Sequence, residues 1–178
     1  MTGLILEGGA FRGLYTDGVL DALLDNQIHF DYIIGVSAGI SNGYSYASAQ
    51  SGRNVDIIRK YVRDKRYVGL SNLAKCRSIF GLDFVFGEIP RTLIPFDHQA
   101  FRAFPGTILA GVTNADTGKI EYFHPETDDP DFILLRATCA IPLFFPVIRY
   151  RGGRYFDGGL ADPIPIRKAI RDGCAKNL

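Results

Sequence analysis

A serine stands between glycines in Gly35-Val36-Ser37-Ala38-Gly39, a G-x-S-x-G. The apolar run Tyr32 to Val36 before it predicts a buried strand, and Ala38 to Ala49, rich in Ala, Ser and Tyr, predicts a helix after it. A sharp strand-to-helix turn holds the serine in strained backbone and projects its hydroxyl from the sheet edge. Gly35 and Gly39 flank it because side chains there would collide across the turn. The following helix aims its positive end at the serine, which favours an alkoxide or oxyanion. That is the chemistry of nucleophilic attack on a carbonyl. The alternative is a chance glycine-serine turn.

Gly8-Gly9-Ala10-Phe11-Arg12-Gly13 also joins a predicted strand to a predicted helix. Such a loop can aim several backbone N–H groups at one anion. A P-loop needs Lys then Ser or Thr where Leu14-Tyr15 stands, and a dinucleotide fingerprint needs Gly where Ala10 stands. An oxyanion hole fits, with each donor worth about 3–4 kcal/mol of barrier. A tight turn with glycines for packing alone fits equally well.

The serine needs a base. The histidines are His29, His98 and His124, and only the last two follow Ser37, as a Ser…Asp/Glu…His order requires. His98 follows Asp97 in an irregular segment, and His124 ends a hairpin strand near Asp116; neither context suits a triad. Asp157-Gly158-Gly159 is the better candidate. Its aspartate follows a short strand, and the glycines would let another backbone approach closely. A carboxylate within hydrogen-bond reach could take the serine proton directly, and partial burial would raise its pKa toward a more useful base. Taken alone, an Asp-Gly turn is the blander reading.

Together, and in this order, the three motifs resemble the patatin-like phospholipase family. Ala140-Ile141-Pro142, Phe144-Phe145-Pro146 and Asp162-Pro163-Ile164-Pro165 resemble the family's segments around its aspartate, and the likeness runs along essentially the whole chain. The resemblance implies a dyad without histidine: Ser37 as nucleophile, Asp157 as base, and amides around Gly9, Ala10 and Phe11 as the oxyanion hole. Arg12 matches an arginine that braces that loop. It further implies hydrolysis of lipid acyl esters with no metal or organic cofactor, and transient contact with a membrane surface. The alternatives are a non-catalytic lipid-binding or regulatory module on the same fold, or a Ser–His–Asp esterase.

These motifs need elements to hold them. Leu4-Ile5-Leu6 predicts the first strand and Leu14 to Asn26 the first helix; Val55 to Val62 predicts an amphipathic helix with Val55, Ile58 and Val62 on one side. Residues 67–105 read as irregular. Thr107 to Thr113 with Lys119 to Phe123, and Val147 to Tyr150 with Arg154 to Phe156, predict hairpins. Asp131 to Ala140 predicts a helix stopped by Pro142, and a last helix runs from about Pro165 to Asp172 with Gly173 as its stop. Alternating strands and helices predict an α/β fold, three-layer α/β/α with a mostly parallel central sheet. Cys174 to Leu178 resembles the lead-in to another strand, so a single domain over 1–178 is expected to stop short of its C-terminal end; a natural short tail is the other reading.

Two further groups are ambiguous. Phe80, Phe84, Phe86, Phe96, Phe101 and Phe104 could wall an acyl pocket or lid, or simply fill the core. Arg53, Arg59, Lys60, Arg63, Lys65 and Arg66 could attract anionic headgroups, but Asp56 and Asp64 interrupt them, which favours a solvated helix face.

The chain has 178 residues, 47% hydrophobic and 22% charged, with net charge +1. That length and composition suit one globular domain and exclude a disordered chain. The charge balance gives no argument for a nucleic-acid partner. Cys76, Cys139 and Cys174 have no metal-like spacing and suit a reducing compartment. The N-terminus lacks a signal peptide's pattern, so a cytoplasmic protein, peripheral at the membrane, is expected.

Overall fold

The computed structural model describes residues 1–72, 78–126 and 131–178. Cys76 lies outside the described residues. Among the described residues the sheet has seven strands: β1 (Thr2–Leu6), β2 (Tyr32–Val36), β3 (Thr107–Asn114), β4 (Ile120–Phe123), β5 (Ile148–Tyr150), β6 (Gly153–Asp157) and β7 (Lys176–Asn177). β7, β1, β2 and β3 run parallel side by side; β4 and β6 join β3 antiparallel, and β5 joins β6. The fold is α/β, as expected from the sequence.

Among the described residues, six α-helices accompany the sheet: α1 (Gly13–Asp25), α2 (Ser37–Ala47), α3 (Arg53–Tyr61), α4 (His98–Ala103), α5 (Ile133–Thr138) and α6 (Ile166–Arg171). Alternation along β1 and β2 decides what each covers. Leu4, Leu6 and Ile33 point into the larger core with Leu20 of α1, Ile40 of α2 and Leu134 of α5. Ile5, Tyr32 and Ile34 point to the other face, where Ala169 of α6 and Cys174 cover them. β2 is buried along its whole length, as expected for a strand sandwiched between helices. Gly173 ends α6 at φ +98°, the left-handed stop its position predicts. The tail then pairs with β1 through β7.

The segment read as irregular is more ordered than expected. Phe84–Leu93 forms a wide π-helix that buries Phe84, Gly87, Ile89 and Pro90, and α4 follows. Its bonds span five residues, as from the Ile94 amide to the Ile89 carbonyl at 2.8 Å. A search for the 3.6-residue period misses such a helix, and Pro90 inside it reads as a breaker.

The register of β3 positions the site. β4 pairs with Ala110 to Thr113, overlapping both the stretch that pairs with β2 and the stretch that pairs with β6. One strand edge cannot hold two partners at one residue. So β2 and β6 lie end to end along the other edge of β3. Val36 sits opposite Gly111 and Asp157 opposite Val112. The last residues of two distant strands thereby meet.

Candidate active site

Ser37 opens α2 directly after β2. Its φ is +54°, a left-handed conformation rare for a side chain larger than glycine's and held only by its surroundings. Thr138 supplies part of that hold. Its Oγ1 accepts from the Ser37 N–H at 2.8 Å and donates to the Gly111 carbonyl at 2.6 Å. The turn also needs close approach: a Cβ on Gly39 would stand 2.3 Å from the Glu7 carbonyl oxygen, and one on Gly158 would stand 2.2 Å from that of Gly111. Gly39 and Gly158 are therefore required by backbone contact, as is Gly35, whose Cβ would stand 2.8 Å from the Leu6 carbonyl oxygen.

The Ser37 hydroxyl donates to Asp157 Oδ2 at 2.7 Å, across 120 positions of chain. Both residues are buried, Ser37 7% and Asp157 5% exposed. The other carboxylate oxygen, Oδ1, accepts from the Gly159 N–H at 2.8 Å. The Asp157 backbone is pinned by Thr113, whose hydroxyl donates to its carbonyl, and by the Ala140 carbonyl, which accepts from its amide. Burial pushes the Asp157 carboxyl above its ordinary range, while the bonds from Ser37 and Gly159 pull it back. It is a carboxylate poised to gain a proton more readily than a surface aspartate.

The glycine loop lies beside the serine. A Cβ on Gly8 would touch that of Ser37 at 3.3 Å, and Ala10 and Phe11 share the cleft with Ser37. The loop amides divide in use. Gly8 donates to the Pro163 carbonyl at 3.2 Å and Arg12 to the Gly9 carbonyl at 2.9 Å. Gly9, Ala10 and Phe11 begin a short 3-10 turn, where amides have no partner within the helix. Ala10 carries a positive φ of 47°. The Arg12 side chain is exposed and pairs with Glu7 at 3.4 Å. Gly13 opens α1, and its carbonyl accepts from the Asn42 side chain at 3.0 Å, locking α1 to α2.

The histidines stand elsewhere. His98 packs on Phe96 and Phe132, His124 Nδ1 lies 3.1 Å from the Ile108 carbonyl, and His29 is exposed. None of the three lines the serine's cleft.

The sequence matches a known family. The patatin-like phospholipase model fits residues 4–170. The chain belongs to that family. It is 31% identical over 180 residues to the uncharacterized protein YjjU of Escherichia coli strain K12, covering 98% of this chain and 50% of YjjU. It is 28% identical to the lysophospholipase nte1 of Aspergillus terreus, over 92% of this chain and 11% of that protein. It is 29% identical to the probable lipid hydrolase 463L of Invertebrate iridescent virus 6, over 98% of this chain and 65% of that protein. The chain thus spans about half the length of YjjU and about a tenth of the fungal enzyme.

In this patatin-like chain the serine opens onto a cleft of about 200 Å³ between α1, α2, α3, α5 and the π-helix. Phe80, Phe86 and Phe96 line it, whereas Phe84 packs with Tyr67 and Ile89 in a separate core cluster. The aromatic run serves both readings at once. The basic run divides too. Lys60 pairs with Asp56, and Arg66 with Asp64 and Glu88, on the surface. Arg53 instead turns inward and lines the cleft, as do Asp17 and Asn54.

Sequence reading had no means of finding Thr138, since a lone threonine in a helix carries no motif. Cys139, also on the cleft wall, lies 3.5 Å from the Ser41 hydroxyl; burial and the Asp157 charge push its thiol up to about 12. Arg53 and Asn54 were within reach of sequence analysis: with Ile57 and Ile58 they form two i,i+4 pairs on one helix face.

Proposed function

We propose that this chain is a serine hydrolase of lipid acyl esters, acting through a Ser37–Asp157 dyad. The observation that carries the reading is the 2.7 Å bond from the Ser37 hydroxyl to Asp157, made by a serine at positive φ facing an apolar cleft. The lysophospholipase and lipid hydrolase names of its relatives support the substrate class.

Ser37 Oγ attacks the ester carbonyl as Asp157 Oδ2 takes its proton. The amides of Gly9, Ala10 and Phe11 receive the negative charge that develops on the carbonyl oxygen. Asp157 then returns the proton to the leaving alcohol, which departs and leaves the acyl group on Ser37. Water, activated by the same carboxylate, releases the acid. The Gly159 amide holds the second carboxylate oxygen, so Oδ2 faces the serine throughout.

Contact with a membrane belongs to this reading. Phe11 and Leu14 line the cleft and are half exposed; Leu143, 95% exposed, and Phe144 flank Ile141 and Phe145 of its wall. An apolar rim of this kind lets a lipid leave a bilayer without crossing water. Among the described residues, no helix is long and apolar enough to cross a membrane.

The test is Ser37→Ala and Asp157→Asn, assayed on lysophospholipid and monoacylglycerol alongside fluorophosphonate labelling. Both variants are expected to fold and to lose ester hydrolysis by at least about 1,000-fold, with labelling absent in Ser37→Ala. Near-full turnover by Asp157→Asn would end the dyad reading.

A further inference from the structure

Arg53 is a buried cation in an apolar cleft. It stands at the start of α3, with its guanidinium 5.3 Å from the centre of the Phe96 ring. Nη2 donates to the Ile94 carbonyl at 3.1 Å and Nη1 to Ser45 Oγ at 3.2 Å. Nε is fully buried and, among the described residues, has no hydrogen-bond partner. The link to the neighbouring carboxylate, Asp17, is indirect. Ser45 donates to Asn54 at 2.7 Å, and Asn54 donates to Asp17 at 3.0 Å. The network delivers neutral acceptors to Arg53 and keeps the Asp17 carboxylate two side chains away. Burial accordingly pulls the guanidinium down to about 10. A buried cation with a spare donor is costly unless something negative completes it.

The cleft joins this cation to the serine. α2 runs from Ser37 past Ser45, eight residues on, which places the two about 12 Å apart along the helix axis. The cleft wall is mostly apolar, with Phe86, Leu135 and Tyr44, and carries the hydroxyl of Ser41 halfway along this stretch of α2. An extended chain covers about 12 Å in roughly ten bonds. The volume, about 200 Å³, agrees. A cavity of about 150 Å³ holds the six carbons of benzene, so this one has room for roughly eight.

We propose, building on the hydrolase reading, that Arg53 is a substrate-recognition residue. It receives an anionic oxygen group, carboxylate or phosphate, that the ester carries about ten bonds from the carbonyl Ser37 attacks. A carboxylate at the far end of a medium-length acyl chain supplies that group with an apolar spacer. A headgroup phosphate supplies the same chemistry from the alcohol side at a shorter reach, its free oxygens about seven bonds from the carbonyl carbon in a lysophosphatidate.

The experiment compares three esters of one chain length: monononanoylglycerol, its chain-end carboxylated counterpart monoazelaoylglycerol, and nonanoyl lysophosphatidate. Each is assayed with the unaltered chain, Arg53→Met, Arg53→Gln and Arg53→Lys. The expected result is a fall of about 10–100-fold in kcat/KM on a charged ester for Arg53→Met and Arg53→Gln. The neutral ester should change less than threefold, and Arg53→Lys should recover part of the loss. A loss confined to the azelaoyl ester assigns the anion to the chain end; one confined to the lysophosphatidate assigns it to the headgroup. Equal loss on all three esters, or on none, overturns the proposal.

Should the unaltered chain cleave no ester, the hydrolase reading fails, and binding decides the subsite on its own. Calorimetry with Ser37→Ala then compares monomethyl azelate and octyl phosphate, with and without Arg53→Met. Binding of either anion that depends on Arg53 sustains the recognition site, and its absence removes it.

Discussion

A single hydroxyl shows how much of the proposed chemistry rests on residues outside the motifs. The Thr138 hydroxyl accepts from the Ser37 N–H and donates to the Gly111 carbonyl, so it ties the strained serine to β3. Thr138→Val leaves both buried backbone groups unpaired. The expected cost is about 2–4 kcal/mol of stability, read from denaturant midpoints, together with a fall in kcat, whereas Thr138→Ser keeps both bonds and stays near the original values. Equal behaviour of the two variants would show that the bonds do not hold the turn. At Asp157 the sign of the pH effect follows from burial. A base must be ionised, and the folded carboxyl holds its proton above the ordinary range, so activity is expected to fall as pH drops through that raised value. The acid limb of kcat/KM should therefore lie above the usual aspartate range. A limb at or below that range would mean that another group sets the profile.

Two strands that end against one neighbour make the site, and this was only half legible in the sequence. Ser37 and Asp157 announce themselves through glycines, because Gly35, Gly39 and Gly158 mark backbone contacts that no side chain fits. The strands, the hairpins and the helices around them follow from period and punctuation. That β2 and β6 share one edge of β3 does not, since register is set by pairing across 120 residues and not by local pattern. The π-helix was hidden for another reason: its spacing lies outside the helical period sought, and Pro90 argued against it. Arg53 stands in sequence among the surface cations, and charge is read more easily than the face a residue occupies. The contact role of the glycines is open to test. Gly39→Ala places a methyl 2.3 Å from the Glu7 carbonyl oxygen, so α2 must move away from β1. A loss of about 1–3 kcal/mol or more is expected, along with much of the activity, because the serine moves with the helix. Thermal unfolding measures the first and fluorophosphonate labelling the second; a fully stable, fully labelled variant would show that the contact is not required.

Across the molecule, helices packed over one sheet leave few places for a charge, and α1 buries one. Asp17 is 4% exposed and faces the cleft beside Asn54. Burial pushes its carboxyl from 3.8 up to about 6; the bond from Asn54 opposes this, and the Asp21 charge adds to it. The folded chain therefore binds this proton more tightly than the unfolded chain does. Stability from Asp17 is full when the group is protonated, below about pH 4, and declines as pH rises toward about 6. Above that the deficit is constant, at about 2–3 kcal/mol for a displacement of roughly two pK units. Asp17→Asn removes the charge while an amide oxygen still accepts from Asn54. The variant should be more stable than the original chain by about that amount at pH 7.5, and the gain should shrink to nothing near pH 4. Denaturant titrations of both proteins across this range measure the difference directly, and other carboxylates cancel between them. A gain that persists unchanged at pH 4 would assign the effect to packing, and a loss at every pH would mean that Asp17 stays charged and is stabilised in place.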